Sequence, residues 1–223
     1  MDWRAWHEDY EDADSPLAQR LVLVRKQIGA TLDRARPGPL RVVSVCAGQG
    51  HDLIGVLAEH PRREDVAARL VELDEHNVKL ARLAAHASGL DGVELVLGDA
   101  STTDVYAGAV PADLILLCGV FGNISEDDIA NTITHLPSLC AAEATAIWTR
   151  HRHPPDLTPF IRETFARSGF GEITFEDAPP FGVGANRLRV PPRPFQAGVR
   201  LFEFVGYDVL APDFHAKGHS IST

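Results

Sequence analysis

Apolar residues recur first at helical spacing and then, beyond residue 40, gather into short runs separated by polar turns. Leu17, Leu21, Val24, Ile28 and Leu32 mark one face of a helix. Ser15-Pro16 supplies its N-cap and first-turn proline, and Pro37-Gly38-Pro39 stops it. The β-branched run 41–45 reads as a strand, and Leu53, Ile54 and Leu57 as a helix after the glycine turn that follows. Further strands are expected at 68–73, 93–97, 113–117 and 144–149. A helix at 77–88 closes on Gly89 at its C′ position. Ser125 with Asp128 resembles a capping box for a helix to about Leu136, and Thr158-Pro159 opens another that Gly169 ends. Late strands are expected at 173–175 and 201–205.

Several of these strands are continuously apolar rather than alternating, as strands covered on both faces are. With the β-α-β rhythm, this predicts an α/β, Rossmann-like, doubly wound and mostly parallel sheet with helices on both faces. Ligands of such sheets bind at the carboxyl ends of the strands, so those ends are where chemistry is expected.

What stands there is suggestive in combination. After the first strand comes Ala47-Gly48-Gln49-Gly50, where glycines let the backbone approach a ligand closely. After the second comes Glu72-Leu73-Asp74, and Glu72 follows Gly50 at close to the roughly 20-residue spacing of ribose-binding acids in dinucleotide sites. After the third comes Gly98-Asp99-Ala100, with an acid able to accept from an exocyclic amine. After the fourth comes Cys118-Gly119-Val120-Phe121-Gly122-Asn123, small residues with an asparagine that both donates and accepts. Each signal alone is weak. Their succession at successive strand ends is far more specific.

Composition changes the picture only by exclusion. The formal net charge of the 223 residues is −10, which disfavours a nucleic-acid partner. Arg62-Arg63, in a short polar loop, reads as a solvated surface turn rather than a basic patch. No apolar run reaches bilayer length, and the start of the chain is acidic and aromatic rather than a secretory signal. Cys46, Cys118 and Cys140 lack metal-type spacing. A reduced, cytoplasmic protein without a metal site is expected; His215 and His219 lie in a tail with little sign of structure.

The chain resembles a class I S-adenosylmethionine-dependent methyltransferase over roughly residues 40–175. VVSVCAGQGHDL matches that family's glycine loop, LVELDEHNVKLAR its second motif, ELVLGDA its third, and ADLILLCGVFGNIS resembles its fourth. The resemblance implies a seven-stranded sheet whose last strand runs antiparallel, S-adenosyl-L-methionine as cofactor, and in-line transfer of a methyl group. It implies cofactor contacts from Ala47, Gly48, Gly50, Glu72 (ribose), Leu73, Asp99 (adenine), Ala100, Cys118, Gly119 and Asn123. Two departures stand out. Ser44 occupies the position of an acid that supports the loop and the methionine amino group, and Cys46 replaces the first glycine. A functional site with re-routed contacts to the amino-acid end is expected.

His151 and His153, after the fifth strand, are the candidates for a general base on the acceptor side, or else solvated loop residues. Trp3, Trp6 and Tyr10 fall close to helical spacing and fit either an aromatic lid over the site or an amphipathic helix packed on the sheet. Phe121, Phe181 and Phe195 line an acceptor cavity or fill core. The expected organisation is an N-terminal lid and helix (1–36), a cofactor-binding methyltransferase domain (37–206) and a tail (207–223). The acceptor is expected to be a small molecule, and the protein a monomer or homodimer without nucleic-acid or membrane partners. Two other functions are weighed against this one. A nicotinamide-dependent oxidoreductase would want Gly or Ala where Leu53 stands and has no use for Asp99. A non-catalytic scaffold or sensor that binds the cofactor is compatible with Ser44 and Cys46.

Overall fold

A computed structural model describes residues 15–205. The proposed lid residues Trp3, Trp6 and Tyr10, and the tail with His215 and His219, lie outside the described residues.

The first helix, α1 (Pro16–Arg34), begins as its sequence requires: Ser15 Oγ accepts from the Ala18 N–H at 3.0 Å, with proline in the first turn. Four parallel β-strands follow, β1 (Leu40–Val45), β2 (Val66–Glu72), β3 (Val93–Leu97) and β4 (Ala112–Leu117), and then the long β5 (Cys140–His151). Between them lie α2 (Leu53–Leu57), α3 (Glu75–Ala87) and α4 (Glu126–His135). The chain ends in α5 (Thr158–Arg167) and a β-hairpin, β6 (Phe170–Ala178) and β7 (Phe181–Leu188). The sheet has seven strands in the order β3-β2-β1-β4-β5-β7-β6, with β7 antiparallel to both neighbours.

The continuous apolar runs are explained by cores on both faces of the sheet. Val43, Val45, Ile115 and Leu117 point to one face, where they meet Ile129 and Ile133 of α4 and Phe165 of α5. Val42, Leu114 and Leu116 point to the other, beneath Val24, Ile28 and Leu32 of α1 and Val78 and Ala81 of α3. Strand order reverses at β1, which lies between β2 and β4. Beyond the carboxyl ends of β1 and β4 the connections depart in opposite directions and leave a crevice.

Two expectations are corrected. Residues 201–205 form no strand. They lie in an extended strap, where the Leu201 N–H donates to the Ser101 carbonyl at 2.7 Å and the Val205 N–H to the Asn123 carbonyl at 2.9 Å. The seventh strand is instead β7, which carries Gly182 and Gly184. They are small because rings lie over them: a Cβ on Gly184 would meet Trp148 Cε2 at 2.2 Å, and one on Gly182 would meet Phe175 Cζ at 2.7 Å. Nor is Arg62-Arg63 a solvated turn. Arg62 donates to the carbonyls of Leu32, Ala35, Arg36 and Gly38 at the end of α1. Arg63 donates to the carbonyls of Ala58, Ser88 and Gly89, the last two at the end of α3. Both arginines satisfy carbonyls that a helix terminus leaves without partners. No helix among the described residues is long and apolar enough to cross a membrane.

Candidate functional site

The turn after β1 is the floor of the site. Cys46, Gly48 and Gly50 all adopt left-handed backbone, with φ of 53°, 56° and 70°. Cys46 does so with a Cβ, at a cost of roughly 1–2 kcal/mol, so a glycine at this position relieves strain as well as making room. The Ala47 N–H donates to the Val71 carbonyl at 2.9 Å, which ties the turn to β2.

Glu72, at the tip of β2, completes that tie. Its Oε2 accepts from the Gly48 N–H at 2.7 Å, and its Oε1 from the N–H groups of Leu73 and Asp74 at 2.9 and 2.8 Å. Each carboxylate oxygen has two lone pairs, so Oε2 retains capacity for a ligand hydroxyl. Leu73 beside it is 72% exposed, an apolar side chain held at the rim of the cavity. At the tip of β3, Asp99 accepts from the Ser101 N–H at 2.8 Å. Ser101, whose hydroxyl lies near and whose N–H donates to it, holds the Asp99 carboxyl below the usual carboxylate range.

These groups line one cavity of about 430 Å³, a size suited to a small molecule. Of the residues expected to contact a cofactor, Ala47, Gly48, Glu72, Leu73, Asp99, Ala100, Cys118 and Gly119 lie in its wall, together with Ser44 and Cys46. Gly50 and Asn123 flank it instead. Gly50 packs against Ile54 and Leu70, and Asn123 Nδ2 donates to the Gly119 carbonyl at 2.8 Å, which shapes the turn after β4.

The sequence reading missed the far end of the cavity. Arg20, Leu21 and Val24 of α1 line it, as does Asp52 from the turn between β1 and α2. Asp52 is 9% exposed. Its Oδ1 accepts from the Leu53 N–H at 2.7 Å, and the Cys118 thiol stands beside it in the cavity wall. Burial pushes the Asp52 carboxyl upward, against the Leu53 N–H and the charge of Arg20. Arg25 fixes the loop above, with Nε and Nη2 donating to the His51 carbonyl at 2.9 and 2.6 Å. The strap closes the remaining side with Phe202 and Phe204. Arg20 had a sequence signal: it interrupts the apolar face of α1 between Leu17 and Val24. The strap phenylalanines had none, since their position depends on contacts with residues far away in sequence.

Phe121 lies in the core against Trp148, with ring centroids 6.2 Å apart. Phe181 meets the Arg20 guanidinium 5.1 Å above its ring, and Phe195 is exposed. His151 ends β5 and is 8% exposed, with Nε2 against Arg150 Nη1. Burial, with the charges of Arg150 and His153, lowers its pKa to about 4. His153 is half-buried and stacks on it at 5.7 Å. Neither histidine is part of the cavity wall, but His151 Cδ2 borders Gly122 in the loop after β4.

No family model and no curated protein matches the chain. Among solved structures it is similar to an O-methyltransferase family protein from Burkholderia thailandensis, at TM-score 0.65 and 18% identity over 84% of this chain and 60% of that one. It is similar to magnesium protoporphyrin IX methyltransferase from Synechocystis PCC 6803 with bound SAM, at TM-score 0.63 and 14% identity over 84% and 91%. A third is 1,6-didemethyltoxoflavin-N1-methyltransferase from Burkholderia thailandensis with bound 1,6-didemethyltoxoflavin and S-adenosylhomocysteine, at TM-score 0.62 and 16% identity over 85% and 86%. The chain thus spans less than two thirds of the first and most of the other two. With its strand order and its antiparallel seventh strand, the chain has the fold of the class I S-adenosylmethionine-dependent methyltransferases.

Proposed function

We propose that this protein binds S-adenosyl-L-methionine and transfers its methyl group to a small-molecule acceptor. The observation that carries the reading is the convergence of a left-handed glycine turn, the Glu72 carboxylate and the Asp99 carboxylate on one cavity at the strand-order reversal. These residues fit the group. Glu72 would accept from the ribose hydroxyls, Asp99 from the adenine amine, and Leu73 would cover the base. When bound, the cofactor supplies a methyl activated by its sulfonium.

The chain's own contribution is positional. Gly48 and Gly119 leave room at the tips of β1 and β4, while α1 and the strap exclude water on either side. Holding two reactants in register in a dry site supplies most of what such a transfer needs. Where the acceptor carries a proton, His153 takes it on its imidazole. His151 is held neutral beside Arg150 and serves to orient its neighbour. An acidic chain favours a small acceptor over a nucleic acid, and two of the similar structures are named for small molecules.

Titration calorimetry with S-adenosylhomocysteine, followed by transfer of labelled methyl to a panel of small acceptors, tests the proposal. Binding with transfer is expected. Binding without transfer to any acceptor would favour the scaffold reading, and no binding would overturn both.

A further inference from the structure

Between β7 and the strap the chain runs exposed over residues 191–198, and 191–196 carry no regular secondary structure. Their sequence is Pro191-Pro192-Arg193-Pro194-Phe195-Gln196. Proline fixes its own φ and confines the residue before it to extended backbone. Val190 to Pro194 are therefore all held near a polyproline II helix, which repeats every third residue. The attachments to the body follow that repeat. Val190 lays its side chain over Gly169. The Arg193 N–H donates to the Pro137 carbonyl at 2.9 Å, and its Nη1 to the Thr134 carbonyl at 3.3 Å. The Gln196 carbonyl accepts from Thr103 Oγ1 at 2.7 Å. With 190, 193 and 196 turned to the body, Pro191 and Pro194 form one outward ridge, and Pro192 and Phe195 a second beside it. None of these residues lines the cavity.

Charge marks the same stretch. The chain has a formal net charge of −10, yet from Ala178 to Phe202 it carries four arginines and no carboxylate. Arg189 and Arg193 border the ridges, and both are exposed. Neither forms an ion pair among the described residues, whereas Arg62, Arg69, Arg152 and Arg162 each do. Asp104 meets the far end of the segment, where its Oδ2 accepts from the Gly198 N–H at 3.0 Å. Ridges of proline rings on preformed polyproline II backbone dock into grooves lined by aromatic side chains, with little ordering left to do. Exposed arginines beside them are complemented by carboxylates at the groove's border. The described surface of this chain offers no such groove, for its exposed phenylalanine, tyrosine and tryptophan rings are those of Phe195 and Phe204. A second copy is thus a poor match. We propose that residues 189–196 are the docking ridge for a different protein, one that presents a groove of aromatic side chains bordered by carboxylates. This partner surface is independent of the cofactor reading.

The probe is a purified, isotope-labelled SH3 domain whose groove is lined by tyrosine and tryptophan and bordered by aspartate and glutamate. It is titrated with the full chain and followed by NMR shifts. Saturable binding that maps to the groove is expected. Replacing both prolines of the first ridge, Pro191→Ala with Pro194→Ala, should weaken it about 5- to 30-fold. Arg189→Gln should weaken it about 2- to 5-fold. Raising the salt to 1 M, where the screening length falls to about 3 Å, should weaken the wild type by a similar factor. Circular dichroism reports whether each variant folds. Should the double proline variant fail, Arg189→Gln and the salt titration of the wild type read the same surface. No binding to the groove, or binding that the substitutions and salt leave unchanged, would overturn the proposal. So would sedimentation showing that the full chain self-associates through these prolines, since the ridge would then be an interface between copies.

Discussion

Glu72 does two jobs with one carboxylate: it holds the glycine turn against β2 through the Gly48 N–H and presents an acceptor to the cavity. Glu72→Ala therefore removes a ligand contact and loosens the floor. S-adenosylhomocysteine affinity should fall by at least about 10-fold, with Glu72→Gln intermediate, since it keeps one acceptor oxygen. Wild-type affinity in Glu72→Ala would refute the ribose assignment. His151 gives a second test, of stability rather than binding. Its pKa is about 4 in the fold against 6.5 for an ordinary histidine, so the unfolded chain takes up the proton first as pH falls. Its contribution is fully present above about pH 6.5 and is lost as pH drops towards 4. Urea midpoints measured across that window should decline more steeply in the wild type than in His151→Gln. For turnover, the proposed division of labour predicts that His153→Ala lowers kcat on an acceptor that must lose a proton, with S-adenosylhomocysteine affinity unchanged.

The hairpin shows how a strand can be hidden in its own sequence. Gly182 and Gly184 lack side chains because Phe175 and Trp148 occupy the space above them, and Trp148 Nε1 donates to Asn186 Oδ1 at 2.8 Å from the same strand. Gly184→Ala should overpack that contact and cost about 1–3 kcal/mol, read as a lower urea midpoint with an unchanged slope. The helices show the complementary case. The end of α1 has no glycine cap. Its carbonyls, and that of Gly38 just beyond, are met by Arg62 from a distant turn. Arg62→Met retains the stem but strands those carbonyls, and about 2 kcal/mol of stability should go with it.

Taken together, the chain is a sheet whose ligand cavity is walled by pieces that arrive from both ends: α1 before the first strand and the strap after the last. The strap is fastened where Asn131 Nδ2 donates to the Leu201 carbonyl at 2.8 Å, and the segment leading into it where the Arg193 N–H donates to the Pro137 carbonyl at 2.9 Å. A ligand that touches the tips of four strands, α1 and the strap couples them all. At a hundredfold excess over its Kd, S-adenosylhomocysteine should add about 2.7 kcal/mol, a rise in Tm of about 5–10 °C for a domain of this size. Adenosine at the same concentration, which touches fewer of these pieces, should give less.

The alternation of strands and helices was legible because strands buried on both faces must be apolar throughout, and helices buried on one face must repeat every turn. Both demands are local: 114–117 meets the first without help, and α1 meets the second with Leu17, Val24, Ile28 and Leu32. The acids at the tips of β2 and β3 were legible for the same reason: a strand ends where its apolar run ends, and the next polar residue faces the crevice. Three features were not legible. The strand character of β7 depends on Trp148 and Phe175, which lie in other strands. The aim of Arg20 into the cleft depends on where α1 docks. The places of Phe202 and Phe204 depend on hydrogen bonds to Ser101, Asn123 and Asn131. A residue's neighbours along the chain set its periodicity, but only the folded packing sets which distant surface it meets, and the site is made where those surfaces close.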